Sequence, residues 1–562
     1  ADDLLTLVAA AERIEKRLFR VNSVSRVELI GDPGEQVTIG YRDAVARRLA
    51  LAPGSLADQL AARNQVRGGG TVLVGGKTAT LRPESEFRSV DEIRRTPVAL
   101  PSGRTIPLSE IATVTHGPSE PGSEFMWVNG TPTVGLSVIV ERDKAHVVKF
   151  GQELKTFVDE LRPEFAPLEL DIILFQPDHV EGRLAELGRS LLLGVGIVAG
   201  ILFLSMGLRL GLLVASIVPL VTFSALAIYA IGGGVLHQMA IAGLVIGLGM
   251  LVDNAIVMVE NIQWNIDRGY APREAAIRSV RELAGPLGAA TGTTLAAFIP
   301  MLIAKGNTAD FTRMIPGMVM LTLIVSYLYA VFVTPVMSEF VLRKAQRTEE
   351  GWVSRLGRNL GRAAVRHSAI VLVGAVLLVA LAGFGARYVD RDFFPGSARS
   401  EVVIDLNFAE GTHITTTSAA AVDMAAALLE LEAAENVYAW TGFTGPPFNY
   451  NLSENPRSPH IGRIAVILRS VDDIPAVFDW VRDYAHDNLP DVEVVPQRLG
   501  QGPPVQAPIE IRLFGDDFYV LRESIERLLE LVRETPGTAD VRETLGTGTP
   551  TLVFEVDDAA AA

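Results

Sequence analysis

Hydrophobic residues are concentrated in long uncharged stretches that interrupt an otherwise ordinary charged sequence. Each stretch is long enough to cross roughly 30 Å of hydrocarbon at about 1.5 Å per residue in a helix. The second stretch contains a Gly232-Gly233-Gly234 turn, which divides it into two passes. Six membrane helices are therefore predicted, within an integral membrane protein. The stretches are Ser190–Leu208, Leu210–Val252, Leu283–Ala304, Met314–Ser338 and His367–Ala386.

The regions on either side of these stretches show short alternating apolar runs mixed with helical periodicity, which is typical of α/β folds. The similar pattern of the two regions suggests an internal duplication of the kind that transporters show. The first region has predicted strands at Ser25–Ile30, Gln36–Tyr41, Thr71–Val74, Thr133–Glu141 and Leu168–Phe175, and a helix at Ala145–Arg162. The second has strands at Glu401–Phe408, Ile461–Leu468, Asp491–Pro496 and Pro508–Gly515, and helices at Ser418–Ala434, Ile474–Ala485 and Tyr519–Glu534.

Lysine and arginine define the orientation, because cytoplasmic loops of membrane proteins carry an excess of both. One set of loops, from Arg209 to Arg366, holds twelve of them, while the alternate loops hold only Lys305 and Arg313. The first set is therefore predicted to be cytoplasmic. Residues 1–180 and 390–562 then lie on the far side, in the periplasm of a Gram-negative bacterium. The absence of cysteine is compatible with that compartment but does not establish it.

Composition adds two further expectations. Residues 391–562 contain 12 Arg, no Lys and 28 Asp plus Glu, a net charge of −16, while the remainder nets +1. This charge fits a solvated acidic surface, and it also fits a preference for cationic substrates or a basic partner. The chain begins without Met and ends Asp557-Asp558 followed by four alanines. We therefore expect it to be the central part of a longer protein.

Asp253 lies within an apolar segment that runs from Met239 to Glu260. A charged carboxylate at mid-bilayer costs about 3 kcal/mol on insertion scales, so such residues are functional candidates. A carboxylate that can be neutralised by a proton is what a proton-driven transporter requires. The alternative is an aspartate whose carboxylate is satisfied by a hydroxyl or backbone group on a neighbouring helix.

Several segments resemble those of resistance–nodulation–division (RND) efflux permeases, in order and along essentially the whole chain. Gly249-MLVDNAIVMVENI, followed by Gly269-YAPREAAIRS, resembles the fourth membrane helix of that family and the helix after it. The other similar segments are Ser216-IVPLV, Ala297-FIPM, Val333-TPVM, Phe87-RSVDEI, Ile106-PLSEIATV and Ala507-PIEIRLFGDD. The resemblance is closer to the multidrug branch than to the heavy-metal branch.

The resemblance implies half of a twelve-helix permease, with periplasmic α/β porter and docking subdomains. The implied domains are a partial porter subdomain (1–24), a docking subdomain (25–116), the rest of that porter subdomain (117–187), a membrane bundle (188–388) with a cytoplasmic amphipathic helix near 345–362, a second-half porter subdomain (389–500) and the truncated start of the next (501–562). The loop Arg67-GGGTVLVGGK would match the arm that reaches into a neighbouring subunit. Its glycines resemble those of a phosphate-binding loop. However, Thr71 stands where that motif requires a glycine, and the sequence does not predict the strand before the loop and the helix after it that the motif needs.

The resemblance also implies a proton relay. Multidrug members carry two adjacent aspartates in the fourth helix, paired with a lysine and an arginine on later helices. Here Asp253 matches the first, whereas Asn254 occupies the second, which leaves one titratable carboxylate in this helix. Asn254 is expected to hold Asp253 or its partner by hydrogen bonds. Gly247 and Gly249 would admit a neighbouring helix closely, or they are ordinary packing residues.

Substrate contacts are predicted in an aromatic segment. Alternation along a strand places Tyr438 and Trp440 on one face, with Phe443 close behind and Phe448 in the following loop. By resemblance these residues line the drug pocket of multidrug members. The competing interpretation is a set of core aromatics under a sheet.

The resulting hypothesis is a proton/substrate antiporter of the inner membrane that exports amphiphilic molecules. It would be a trimer of identical or paralogous subunits, working with a periplasmic adaptor and an outer-membrane channel, and without nucleic acid, cofactor or resident metal. Heavy-metal export is disfavoured because most methionines lie in membrane segments and the histidines lack ligand spacing. A non-coupling scaffold or sensor subunit remains an alternative. The sequence shows no nucleophile–base arrangement typical of an enzyme.

Overall fold

The computed structural model describes residues 4–65, 69–81, 86–141, 146–343, 352–389, 396–452, 456–502, 509–538, 540–546 and 548–555. The chain folds into two compact units. An α/β unit comprises Ala1–Ile172, Ser397–Leu499 and Gln506–Ala562. A helical unit comprises Ile173–Gly396 and Gly500–Val505.

The elements are numbered in chain order. The helices are α1 (Leu4–Leu18), α2 (Asp43–Arg48), α3 (Pro53–Arg63), α4 (Val90–Arg94), α5 (Val147–Phe165), α6 (Gln176–Ile231), α7 (Gln238–Asp267), α8 (Pro272–Ile303), α9 (Asn307–Thr312), α10 (Met314–Leu328), α11 (Thr334–Val341), α12 (Trp352–Arg366), α13 (Ser368–Gly385), α14 (Ile414–Leu429), α15 (Ile474–Asn488) and α16 (Phe518–Arg533). The strands are β1 (Val24–Ile30), β2 (Glu35–Tyr41), β3 (Thr71–Val74), β4 (Lys77–Thr80), β5 (Pro97–Ala99), β6 (Thr105–Pro107), β7 (Ala112–Pro118), β8 (Phe125–Val128), β9 (Thr131–Thr133), β10 (Gly135–Val140), β11 (Glu401–Asn407), β12 (Ala434–Thr441), β13 (Ile461–Leu468) and β14 (Glu493–Arg498).

The largest sheet of the α/β unit has six antiparallel strands in the order β14-β11-β13-β12-β8-β9. Alternate residues of β11, namely Val402, Ile404 and Leu406, are fully buried in a core that includes residues of α14 and α15. Strands β8 and β9 come from the region before the membrane stretches, and the other four come from the region after them. The two soluble regions therefore share one sheet across the predicted boundaries at 187 and 389.

The first soluble region has a separate small core around the β2–β7 pair. Leu108 and Ile111 are fully buried there, together with Val98 from the β5–β6 pair. The β3–β4 hairpin, part of the predicted subunit-reaching loop, is exposed along both strands. Arg67 and Gly68 of that loop lie outside the described residues.

Two predicted strands are wrong. Residues 168–175 and 509–515 contain no strand, although both show apolar alternation. A strand needs a neighbouring strand to bond its backbone N–H and C=O groups, and alternation within one segment does not supply that neighbour. The helix predicted at Ser418–Ala434 also differs in extent from the observed helix α14. It begins at Ile414, where the His413 ring nitrogen accepts a bond from the Thr415 N–H, and it ends at Leu429 before β12 begins.

In the helical unit, five helical segments of the described residues are long and apolar enough to cross a membrane. The first is α6, with 56 residues, in which Gly207 adopts a non-helical conformation (φ 79°, ψ 174°), so two helices meet at a kink. The predicted turn at Gly232–Gly234 separates α6 from α7, and Gly233 has a positive φ there. The other segments are α7, α8, Asn307–Val341 and Ser368–Tyr388.

Candidate functional site

Helix α7 packs against α6, α8 and α10, and its two sides differ in exposure. Leu244, Leu251, Met258 and Ile262 are almost completely buried, as expected for residues that face neighbouring helices. Exposed residues recur every three or four positions, which places them on one face of the helix. We call this surface the open face of α7; its members are Ile246, Gly249, Asp253, Val257, Glu260 and Trp264.

Asp253 lies on the open face, halfway along the 30 residues of α7. No described side chain forms an ion pair or hydrogen bond with its carboxylate. The helix is fixed around it, because the residues on each side, Val252 and Asn254, are buried. A carboxylate held on a rigid helix and open on one side can take up a proton or meet a cation brought by another segment.

Asn254 points the other way, into the bundle, where it is 7% exposed. Its Nδ2 lies 3.4 Å from Thr291 Oγ1 on α8 and 3.5 Å from Ser326 Oγ on α10. Ser326 Oγ in turn donates to the Leu251 carbonyl at 2.6 Å. The side-chain bonds of Asn254 therefore join three helices and do not reach Asp253. Asn254 was predicted to hold Asp253 or its partner by hydrogen bonds. With its side chain directed into the bundle, Asn254 would affect Asp253 only indirectly, by fixing the orientation of α7.

The two glycines beside Asp253 differ. A Cβ at Gly247 would lie 2.4 Å from Thr322 Oγ1, so α10 approaches the backbone of α7 closely at this point. A Cβ at Gly249 would meet nothing within 4 Å, because Gly249 belongs to the open face. Of these two glycines, only Gly247 is closely packed against another described helix.

The prediction of a single titratable carboxylate in this helix is wrong. Helix α7 continues to Asp267, and Glu260 occupies the open face seven residues after Asp253. That separation corresponds to about 10 Å along the helix axis. Two turns of helix return a side chain to the same face, so the i, i+7 spacing of the two acids was the signal available in the sequence.

The predicted aromatic residues are all buried in the α/β unit. Tyr438 and Trp440 lie on one face of β12, with ring centroids 6.3 Å apart and an interplanar angle of 23°. Trp440 is completely buried, while Phe443 and Phe448 are each 7% exposed. The Trp440 Nε1–H has no hydrogen-bond partner among the described residues. A Cβ at Gly445 would lie 2.7 Å from the Trp440 ring, so the loop after β12 covers the indole.

A buried acid lies near this loop. Glu124 is 2% exposed and accepts a hydrogen bond from the Gly31 N–H at 3.0 Å. Its Oε2 is 2.7 Å from Arg457 Nη1, and the guanidinium carbon of Arg457 lies 5.5 Å from the centre of the Phe443 ring. Burial raises the pKa of Glu124 above its usual value, opposed by the positive charge of Arg457 and by backbone hydrogen bonds.

The same sheet contains a second buried acid, which is fully partnered. Arg463 donates to both carboxylate oxygens of Asp405, at 2.5 and 3.1 Å, and Gln497 Nε2 donates to one of them at 3.1 Å. Both members of the ion pair are about 5% exposed.

Among the described residues, no group of three or more His, Cys, Asp or Glu side chains is placed to hold a metal ion.

These features can be compared with known proteins. A family model described as the AcrB/AcrD/AcrF family matches residues 3–562. The chain belongs to this family. This is the family of the RND permeases, which are multi-pass membrane transporters, and the resemblance seen in the sequence is confirmed.

The relatives support the multidrug branch of the family. Multidrug resistance protein MdtC of Cronobacter sakazakii is 24% identical over 554 residues, which cover 92% of this chain and 51% of the relative. MdtC of Escherichia coli O17:K52:H18 is 23% identical over 543 residues, or 92% and 52% of the two chains. MdtC of Pectobacterium carotovorum is 25% identical over 394 residues, or 66% and 38%. The chain spans at most about half the length of these relatives.

Proposed function

We propose that this chain acts within a proton-driven efflux permease that exports amphiphilic small molecules by proton/substrate antiport. The observation that supports this proposal is Asp253, a carboxylate halfway along an apolar helix, on the face that the described residues leave open. An acid kept at that depth has a cost that a neutral side chain would avoid.

The proposed coupling cycle depends on a cation carried by a helix that packs on the open face of α7. The chain spans about half the length of its relatives, which leaves room for such a helix outside it. Ionised Asp253 holds the cation, and protonation from the periplasmic side weakens that attraction, so the helices repack. Each proton moving down the membrane potential supplies roughly 2.3 kcal/mol per 100 mV. That energy is enough to bias a two-state rearrangement of a few kcal/mol.

The helix assignments support a six-crossing bundle. The kink at Gly207 divides α6 into a segment before it and a segment after it that each exceed 20 residues. With α7, α8, Asn307–Val341 and Ser368–Tyr388, this division gives six crossings. The excess of Lys and Arg at one set of helix ends supports a cytoplasmic location for those ends, and with it a periplasmic α/β unit and an inner-membrane bundle.

The proposed assembly is a trimer, of identical or paralogous subunits, joined to a periplasmic adaptor and an outer-membrane channel. The proposed substrate region includes Tyr438, Trp440, Phe443 and Phe448. Two features support a binding role for this segment: the buried Trp440 N–H has no partner among the described residues, and a cation–aromatic contact links Arg457 to Phe443. A structural role in the core would account equally for their burial, so substitutions in this region require a folding control.

The test is dye accumulation in cells that express the full-length protein. Asp253→Asn is expected to abolish efflux while leaving expression and oligomeric state unchanged, because the amide is nearly the same size and cannot ionise. Glu260→Gln is expected to give a partial loss. Glu282→Gln is the matched control, because Glu282 forms an exposed pair with Arg278 on α8.

The outcomes separate the candidate functions. Loss of efflux in a folded Asp253→Asn protein supports proton coupling through this residue. Full efflux by that variant would contradict it. If neither protein exports any of a broad panel of dyes and soft metal ions, a scaffold or sensor subunit becomes the better explanation, as the asparagine at position 254 would permit.

A further inference from the structure

An open cavity lies between helices α14 and α15 of the α/β unit, and we call it the α14–α15 cavity. Its volume is about 560 Å³, which is within the range of small-molecule binding pockets. Helix α14 contributes Thr415, Thr416 and Asp423, helix α15 contributes Tyr484 and Asn488, and the other lining residues are alanine and leucine. The lining includes no lysine, arginine or histidine among the described residues. It therefore carries one formal charge, which is negative.

The α14–α15 cavity lies on the helix side of the six-stranded sheet. Val437 and Ala439 of β12 pack in the same core as buried residues of α14 and α15. Because side chains alternate along a strand, Tyr438 and Trp440 lie on the opposite face of the sheet. The cavity is therefore separate from the aromatic region proposed above to contact substrates.

Asp423 supplies the negative charge of the cavity. It is exposed, and no described residue forms a hydrogen bond or ion pair with its carboxylate. Tyr484 lies near it: burial raises the pKa of the Tyr484 phenol, and the negative charge of Asp423 raises that pKa further. An unpaired carboxylate and an aromatic ring therefore meet in one part of the cavity.

Trp480 holds the Tyr484 ring in place. The two rings stack, with centroids 5.0 Å apart and an interplanar angle of 27°. Both side chains also pack against the core beneath α15. A ring that is already fixed loses little conformational freedom when a ligand binds to it, so the site is preorganised.

We propose that the α14–α15 cavity binds an organic cation, with the positive group on the Asp423 carboxylate and the apolar part against the Tyr484 ring. A carboxylate attracts such a ligand by its charge, and the face of an aromatic ring attracts it by its quadrupole. The hydroxyl and amide oxygens of Thr416 and Asn488 can solvate the positive group in place of water. The net charge of −16 in residues 391–562 also concentrates cations around this unit.

The lining favours an organic cation over a metal ion or a neutral ligand. A calcium or magnesium ion takes about six or more oxygen ligands in a defined geometry, whereas Asp423 is the one carboxylate in the described lining. A neutral apolar ligand would displace water from Asp423 without supplying a counter-charge. Binding of this kind needs neither transport nor a proton gradient, so it is independent of proton coupling at Asp253.

The first measurement locates the bound cation. Ethidium monoazide, a planar aromatic cation that crosslinks on illumination, is added to the purified full-length protein, and the labelled peptides are identified by mass spectrometry. Label is expected on peptides from α14 and α15. In Asp423→Asn that label should fall about tenfold, because the amide keeps the shape of the side chain but removes its charge.

Asp483→Asn is the matched control. Asp483 is an exposed acid on α15 that does not line the cavity, and its replacement makes the same change in net charge. Label on α14 and α15 should be nearly unchanged in this variant. Equal losses in the two variants would overturn the proposal, because the overall negative field would then attract the dye. Label confined to peptides that contain Tyr438 and Trp440 would overturn it as well.

The second measurement separates charge from shape. Benzyltrimethylammonium and neopentylbenzene have nearly the same shape, but only the first is a cation. Benzyltrimethylammonium should reduce the labelling of α14 and α15, and neopentylbenzene at the same concentration should not. Equal competition by the two compounds would overturn the proposal, because the cavity would then recognise apolar shape alone.

The third measurement tests the aromatic contact. Tyr484→Leu should reduce the labelling about two- to fivefold, whereas Tyr484→Phe keeps the ring and should retain it. Thermal unfolding identifies any variant that fails to fold, and the two aspartate variants decide the proposal in that case. Full labelling of a folded Tyr484→Leu protein would contradict the proposed contact with the ring.

Discussion

Two aspartates, one in each unit, differ in the hydrogen-bond and ion-pair partners of their carboxylates. In the α/β unit, Asp405 is 5% exposed and receives bonds from Arg463 and Gln497. In the helical unit, Asp253 is on an exposed face, and no described side chain pairs with it. A fully partnered acid is part of the structure of its sheet, whereas an acid without a partner on an apolar helix is available for a proton or a cation. Partnership, rather than burial, therefore identifies the functional candidate.

The largest effect on stability is expected at Asp405. Asp405→Asn would leave Arg463 buried without a counter-charge, at a cost of about 3–5 kcal/mol in the free energy of unfolding of the α/β unit. Asp253→Asn is expected to change stability by less than about 0.5 kcal/mol, because Asp253 is exposed and no described residue forms a hydrogen bond or ion pair with its carboxylate. Thermal unfolding followed by tryptophan fluorescence measures both.

The control removes both charges of the pair. Asp405→Leu combined with Arg463→Met is expected to recover most of the lost stability, because two apolar side chains replace two desolvated charges. If the double variant is as unstable as Asp405→Asn, the stability of the sheet depends on the packing and hydrogen-bond geometry of the Asp405–Arg463 pair rather than on the balance of its charges. If Asp253→Asn is equally destabilising, the contrast between the two aspartates is wrong.

A second prediction compares the packed side of α7 with its open face. A Cβ at Gly243 would lie 2.6 Å from the Ile315 carbonyl oxygen, so Gly243→Ala must push α10 away. Overpacking of this kind costs about 1–3 kcal/mol. Gly249→Ala is the matched control on the same helix. Its Cβ meets nothing within 4 Å, and alanine favours the helix by up to about 1 kcal/mol.

A larger side chain at the same control position tests the open face in the full-length protein. Gly249→Leu should leave the unfolding temperature of the chain nearly unchanged, yet it should reduce dye efflux if another helix packs on this face. Unchanged efflux would mean that nothing approaches α7 closely at Gly249. The proposed cation would then have to reach Asp253 from further along the helix.

The sequence predicted Asp253 because the cost of a membrane carboxylate is a local property, visible from the apolar residues around it. Glu260 is not evident as a functional candidate from local hydropathy because the apolar segment ends at this residue, although its spacing from Asp253 implies a shared face. The direction of Asn254 depends on hydroxyl groups of two other helices, 37 and 72 residues away. The sheet shared by β8 and β12 depends on pairing across more than 300 residues, which alternation within one strand cannot reveal.

The smallest predicted effect concerns Glu493, an intermediate case between the two aspartates. It is half-buried on β14 and accepts a single bond from Asn407, at 3.4 Å. Burial raises the pKa of Glu493, partly opposed by the charge of Arg542. The folded α/β unit then binds this proton more tightly than the unfolded chain does. Its stability is therefore expected to fall as pH rises from the ordinary value of 4.5 through the raised pKa.

Replacing the acid should remove that dependence on pH. Glu493→Gln keeps an oxygen for the Asn407 amide but cannot ionise, so its unfolding temperature should decline less than that of the wild type above pH 4.5. Glu523→Gln, in an exposed pair with Arg527 on α16, should follow the wild-type profile. Parallel profiles for wild type and Glu493→Gln would mean that the Glu493 carboxylate is as well satisfied as that of Asp405. One weak hydrogen bond and partial burial would then be enough to satisfy a carboxylate in this sheet. A functional carboxylate would in that case have to lack any described hydrogen-bond or ion-pair partner, as Asp253 does, and exposure alone would not identify it.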